Sequence, residues 1–251
     1  MENKKKKTIA VVPARLGSQR VRAKNLRLLG GKPLIFYIIN ALKKSKLVDE
    51  IYINSDSELF KEIADRYKVN FYLRKKELAT SESMIDDYIY DFCKNIDCDV
   101  LAVANPTSPF LTENDIDNAI KNFNKNNFDT QLACEDIKTH CFYKGNPINF
   151  STKGQHPRSQ DLIPIKALNF AVTIWKKESF IENYEKNNYG VYTGNIGHYS
   201  FEGLANIDID WEEDFILAEY LIGHMKHGKS SNIKYDPVMD DLNESGKKIE
   251  N

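Results

Sequence analysis

The sequence predicts an α/β domain on a mostly parallel sheet. Strand-length apolar runs alternate with helix-length amphipathic ones through the first half of the chain, the signature of βαβ units. The run Val100 to Ala104 is apolar at every position, as a parallel strand covered on both faces requires. The 251 residues, 41% hydrophobic and 28% charged, suffice for one domain with a sizeable core.

Thr8 to Val12 reads as the first strand. A helix over Leu34 to Lys43 follows, with Leu34, Ile35, Ile38, Ile39 and Leu42 on one face. Next come a strand at Glu50 to Asn54, a helix at Leu59 to Tyr67, a strand at Asn70 to Leu73 and a helix at Met84 to Lys94. After Val100 to Ala104, Thr112 is placed to cap a helix over Asn114 to Asn124, and Thr130 to Cys134 reads as a strand. From Glu135 to Leu168 the rhythm breaks, with Pro147, Pro157, Pro164 and many polar residues. Periodicity resumes with a strand over Asn169 to Trp175, a helix over Ser179 to Asn187, a strand over Ile196 to Phe201 and an amphipathic helix over Glu212 to His224. The organisation expected is one domain over 8–228, an insertion at 135–168, and frayed tails at 1–7 and 229–251.

A formal net charge of −1 gives no argument for nucleic acid or an anionic membrane. No apolar stretch reaches the ~18 residues of a membrane helix, and the lysines Lys4 to Lys7 precede only a strand-length apolar run, unlike a secretory leader. Cys93, Cys98, Cys134 and Cys141 form no C-x-x-C pair and are expected to be reduced, in a cytoplasmic protein. His140, His156 and His198 are scattered; His224 and His227 suit a helix end better than a metal.

Candidate chemistry lies where strands end. Ile9-Ala10-Val11-Val12 runs into Pro13-Ala14-Arg15-Leu16-Gly17-Ser18, with Lys24-Asn25 beyond. Backbone N–H groups and long cations in such a loop can hold a phosphate chain, with Gly17 serving the turn. The spacing matches neither the P-loop nor G-x-G-x-x-G. Arg20, Arg22 and Arg27 read as solvated. Asn105-Pro106-Thr107-Ser108-Pro109 leaves another strand end; in open α/β sheets both loops can face one pocket. Asp208 and Asp210 alternate in an extended segment, so their carboxylates share a face. Such a pair suits a hard divalent cation; alternatively Asp210 caps the helix that follows.

Ile9 to Asn25, Leu73-Arg74 with Glu77-Leu78-Ala79, Pro106-Thr107-Ser108-Pro109 and Ile207-Asp208-Ile209-Asp210 stand in the order found in sugar-acid cytidylyltransferases, which the chain resembles over most of its length. The resemblance implies a Rossmann-like sheet of the nucleotide-diphospho-sugar transferase type. It implies that CTP is joined to a free 2-keto sugar acid, a nonulosonic acid of the sialic, legionaminic or pseudaminic type, giving a CMP-sugar and pyrophosphate. Arg15 and Lys24 would hold the triphosphate, and Asp208 and Asp210 a Mg²⁺ or Mn²⁺ ion, Asp210 directly; Arg15, Lys24 and Asp210 form the catalytic set. Pro13, Ala14, Ser18, Asn25, Arg74 and Ser83 would complete the nucleotide site. Asn105, Thr107, Ser108, Arg158, Lys166 and Asn169 would meet the sugar. The irregular 135–168 segment would build a homodimer and carry Arg158 toward the partner's site. Two departures keep the related acid Kdo open as acceptor. Asn105 stands where sialic acid enzymes commonly have Gln, and Ala167-Leu168 stands where an arginine is expected, with Lys166 the nearest cation. A sugar 1-phosphate nucleotidyltransferase and a nucleotide-binding regulatory module are the competing functions.

Overall fold

The computed structural model describes residues 6–18, 20–80 and 82–226. In chain order the elements are β1 (Thr8–Pro13), β2 (Leu28–Leu29), β3 (Lys32–Pro33), α1 (Ile35–Lys44), β4 (Glu50–Ser55), α2 (Leu59–Tyr67), β5 (Asn70–Leu73), α3 (Ile85–Asn95) and β6 (Val100–Ala104). Then follow α4 (Glu113–Asn126), β7 (Thr130–Ile137), β8 (Phe142–Tyr143), β9 (Asn146–Pro147), β10 (Ile165–Leu168), β11 (Val172–Lys176), α5 (Lys177–Asn187), β12 (Ile196–Phe201) and α6 (Glu212–Lys226). The main sheet runs β10-β7-β11-β6-β1-β4-β5, with β12 on β7. The pairs β6/β1, β1/β4, β4/β5 and β7/β12 are parallel; β11 and β10 run antiparallel to their neighbours.

The sheet is the middle layer, and strand alternation decides which core each side chain joins. In β1, Ala10 and Val12 face a core with Ile35, Ile39, Phe60, Ile116 and Ile120 from α1, α2 and α4. Ile9 and Val11 face the other core, with Ile89, Phe92, Trp175 and Phe180 from α3, β11 and α5. A third cluster joins Val21, Leu29, Leu34 and Phe110 to Phe215, Ala218 and Ile222 of α6. Thr112 begins α4 as expected: its side chain accepts from the Asp115 N–H, and the Asp115 carboxylate accepts from the Thr112 N–H at 2.8 Å. Among the described residues no helix is long and apolar enough to cross a membrane. All four cysteines are free.

The structure corrects several expectations. The strand expected over Asn169 to Trp175 starts only at Val172, as β11, and a further strand, β10, occupies Ile165–Leu168 in the segment expected to be irregular. β10 pairs with the far half of β7, Phe170 turns into the left-handed region at φ 53°, and β11 then lies between β7 and β6. Which neighbour a strand pairs with is a non-local matter that periodicity does not carry. The irregular segment is correspondingly shorter, since β7 runs to Ile137 and β10 starts at Ile165; the β8–β9 ribbon lies between them. Helix α6 is not cleanly amphipathic, because Ile216, Leu217 and Tyr220 are exposed while Phe215, Ala218 and Ile222 are buried. Of the expected N-terminal tail, Lys7 is tied down: its N–H donates to Asp99 at 2.7 Å and its ammonium meets Glu50 at 2.5 Å. The tail at 229–251 and His227 lie outside the described residues.

At the start of β7, Asp129 ties down α5 and the chain that follows it. Its carboxylate accepts from the Asn195 N–H and the Ser179 hydroxyl, both at 2.8 Å. These bonds hold its pKa below the ordinary carboxylate value, the Asn195 N–H foremost. A carboxylate depressed in the fold adds stability above its unfolded pKa and loses it as pH falls through the folded value. Asp129→Ala should therefore cost about 1–2 kcal/mol in urea unfolding at pH 7. The gap from the parent should close as pH falls below about 4. A gap unchanged down to pH 2 would refute the assignment.

Candidate active site

The loops that leave β1, β5 and β6, the turn before β11 and the extended Ile207–Asp210 segment surround one cleft of about 500 Å³. Because β11 is antiparallel to β6, its entry lies at the same edge as the carboxyl ends of the parallel strands. Sheet order β11-β6-β1-β4-β5 therefore gives the cleft two ends. The β1 loop lies between them, Arg74 beyond β5 on one side, and Asn105 with Asn169 on the other.

Pro13, Ala14, Arg15, Ser18, Lys24 and Asn25 line the middle of the cleft. The loop is anchored to β4 by the Ala14 N–H, which donates to the Asn54 carbonyl at 3.0 Å. Gly17 does not supply the conformational freedom expected of it: it has no positive φ, and a Cβ there would meet nothing within 4 Å. The left-handed residue is Ala23 (φ 48°), which turns the chain into the 3-10 turn that starts at Lys24. The Lys24 side chain is 12% exposed, and its ammonium donates to the Ile209 carbonyl and to Asp210, the latter at 3.2 Å.

Arg20 reads from sequence as solvated, yet it lines the cleft, pairs with Asp210 at 3.0 Å and lies over Trp211. No spacing rule pointed to it, since its partner is 190 residues away. Arg27 is also engaged, with Glu212 and the Phe215 ring.

Arg74 is 5% exposed. Its guanidinium donates to the Asn54 side-chain oxygen at 2.8 Å and the Asn54 carbonyl at 3.0 Å, and lies 4.0 Å from the Tyr88 ring centre. Burial lowers its pKa, against the pull of Tyr88 and Asp56; the guanidinium stays charged. Burial pushes the Tyr88 phenol up to about 12, so it is neutral. Tyr88, absent from the sequence expectations, lines this end too. Beside it, the buried Asn54 Nδ2 has no hydrogen-bond partner. Ser83 lines the cleft while its hydroxyl donates to the Glu77 carbonyl and accepts from the Thr80 N–H, holding its own loop.

At the other end, Asn105 Nδ2 donates to the Phe170 carbonyl at 2.8 Å, and Asn169 Oδ1 accepts from the Ala171 N–H at 3.1 Å. Both asparagines line the cleft and clamp the left-handed turn. Thr107 lines it too, and its carbonyl accepts from the Ile209 N–H at 2.9 Å. Ser108 is 2% exposed and does not line the cleft. Neither does Lys166, which is bound to Asp136 at 2.8 Å and to Ser200 at 2.9 Å. Arg158 is exposed in the segment between β7 and β10, paired with Asp161 at 2.7 Å.

Asp208 and Asp210 both line the cleft, with Ile209 between them fully buried on the opposite side, as alternation requires. Asp210 does not cap α6; Asp214, in the first turn of the helix, reaches back to accept from the N–H groups of Asp210 and Trp211. Burial raises the Asp208 pKa; the Thr107 hydroxyl opposes that shift and the Asp210 charge adds to it. A half-buried carboxylate beside another carboxylate is the electrostatic setting that a divalent cation relieves. No cluster of three or more His, Cys, Asp or Glu suited to a metal exists among the described residues. A two-carboxylate site suits Mg²⁺, which completes its shell with water and phosphate oxygens.

A family model described as Cytidylyltransferase matches residues 9–229. The chain is 31% identical over 231 residues to an N-acylneuraminate cytidylyltransferase of Streptococcus agalactiae serotype III, covering 87% of this chain and 53% of that protein. It is 36% identical over 119 residues to CMP-N,N'-diacetyllegionaminic acid synthase of Legionella pneumophila, covering 45% of this chain and 51% of that one. The chain thus spans about half the length of these curated relatives. Among solved structures, CMP:2-keto-3-deoxy-manno-octonic acid synthetase complexed with CTP superposes with a TM-score of 0.67 at 13% identity, over 87% of this chain and 99% of that one, a likeness of fold.

Proposed function

Since the chain belongs to the cytidylyltransferase family, we propose that it joins CTP to a free 2-keto sugar acid, releasing pyrophosphate and a CMP-sugar. The acceptor class is a nonulosonic acid such as sialic, legionaminic or pseudaminic acid, in keeping with the names of the relatives. One observation carries the reading: a single cleft holds cations on its middle wall and two carboxylates beside them.

In this reading the anomeric hydroxyl of the acid attacks the α-phosphorus of CTP, and pyrophosphate leaves. Arg15, Arg20 and Lys24 face the triphosphate and meet the charge that grows on the leaving group. The loop backbone from Pro13 to Ser18 lies along the phosphates, and Arg74 with Tyr88 receives the far end of the nucleotide. Asp208 and Asp210 are the residues to hold Mg²⁺ or Mn²⁺, which when bound polarises phosphoryl oxygens. Lys24, already bonded to Asp210, holds that carboxylate at the cleft wall. A homodimer belongs to the proposal, supported by Phe142, Tyr143, Ile148 and Ile163, exposed together on the segment between β7 and β10. A cytoplasmic location belongs to it too, supported by the unpaired cysteines.

The test is pyrophosphate release from CTP and Mg²⁺ with a panel of free sugar acids, products weighed by mass spectrometry. A CMP conjugate of a nonulosonic acid is expected. Turnover with a sugar 1-phosphate and none with a free acid would replace the reading with a sugar 1-phosphate nucleotidyltransferase. CTP binding without pyrophosphate release would favour a regulatory module.

A further inference from the structure

Phe170 is an aromatic residue in the left-handed region at φ 53°, a conformation that bulky side chains seldom adopt and that clusters at functional sites. The bonds that impose it run through backbone: Asn105 grips the Phe170 carbonyl, and Asn169 grips the Ala171 N–H. Neither bond uses the ring. A glycine would keep both, without strain.

Nor does the core account for the ring. Phe170 is half-buried, and among the described residues it packs into none of the three hydrophobic clusters and pairs with no other aromatic ring. It lines the cleft, at the end beyond β6 and across the β1 loop from Arg74. If Arg74 and Tyr88 take the nucleotide, this is the acceptor's end, so the inference rests on the proposed reaction.

We infer that the Phe170 ring is the apolar wall of the acceptor site and selects sugar acids that carry a methyl-bearing substituent, such as an acylamino group, over acids with a hydroxyl at that position. A methyl group against the ring leaves water at no polar cost. A hydroxyl there loses its water and finds only a weak acceptor on an aromatic face. A contact of this size discriminates by about 10-fold or somewhat more.

The experiment compares the parent with Phe170→Gly and Phe170→Asn, both compatible with a left-handed backbone. The acceptors are a matched pair: N-acetylneuraminic acid and the 2-keto-3-deoxy-nononic acid with hydroxyl in place of acetamido. The ratio of kcat/KM for the two acids should fall about 10-fold in both variants. The KM for CTP should stay within about twofold, and Tm should not drop because strain is relieved. An unchanged ratio overturns the inference. So does a rise in the KM for CTP without a change in the acid ratio, which would put the ring against the nucleotide. A lowered Tm with all constants worsened together would also overturn it, by making the ring structural. If the parent turns over neither acid, that result bears on the proposed reaction, which the panel of acids decides, and not on the ring. The pair is then compared by calorimetric binding in the presence of CTP. There the same loss of discrimination upholds the inference, and its absence, or no binding of either acid, overturns it.

Discussion

Asp210→Ala is expected to lower pyrophosphate release by about two to three orders of magnitude, the scale seen when a group positioned for transition-state charge is removed. The residue is the junction of the cleft. Lys24 and Arg20 converge on one of its oxygens at 3.2 and 3.0 Å, and Asp208 shares its face. Its loss takes away one of two carboxylates available to a cation and the partner that directs Lys24. The fold should survive. Asp210 is 37% exposed at the side chain, the bonds that tie the start of α6 are accepted by Asp214, and ion pairs this open contribute at most about 1 kcal/mol. Activity within tenfold of the parent, with an unchanged urea midpoint, would remove Asp210 from the machinery.

Trp175→Ala should destabilise the protein by about 3–5 kcal/mol in urea unfolding. Trp175 is fully buried in β11, between β6 and β7, and its ring meets Phe180 edge-on at 5.4 Å. Its indole N–H donates to the Val191 carbonyl at 3.0 Å. Alanine leaves a large cavity and an unpartnered carbonyl. Phe180 cannot relax far, because its ring lies where a Cβ on Gly190 would fall, 2.5 Å away. A loss below about 1 kcal/mol would show that this core refills, against the usual behaviour of close-packed interiors.

Much of the candidate site is legible in the chain because its residues sit at strand ends. Pro13 to Ser18 follows an apolar strand, and Asn105 to Thr107 follows another. A parallel sheet sends both loops to one edge whatever the details of packing. Asp208 and Asp210 are readable as a pair because alternation holds for any extended segment. Arg20, Tyr88 and Phe170 are not readable in this way. Arg20 matters through Asp210, Tyr88 through the guanidinium it underlies, and Phe170 through a backbone turn clamped from β6. Lys166 shows the converse. It looks like a spare cation in sequence, but the β10–β7 register places Asp136 directly opposite.

The sequence by itself determined the helices and parallel strands of the first half and their faces, since those follow from local periodicity, turn residues and a cap such as Thr112. It determined the order of the strand-end loops and hence that a phosphate-type site could form. Only the tertiary structure decided that β11 turns antiparallel between β6 and β7, that Phe170 bears the strain of that turn, and which cation meets which carboxylate. Those outcomes depend on pairing between residues far apart in the chain. They are selected by the joint packing of three cores rather than by any window of sequence.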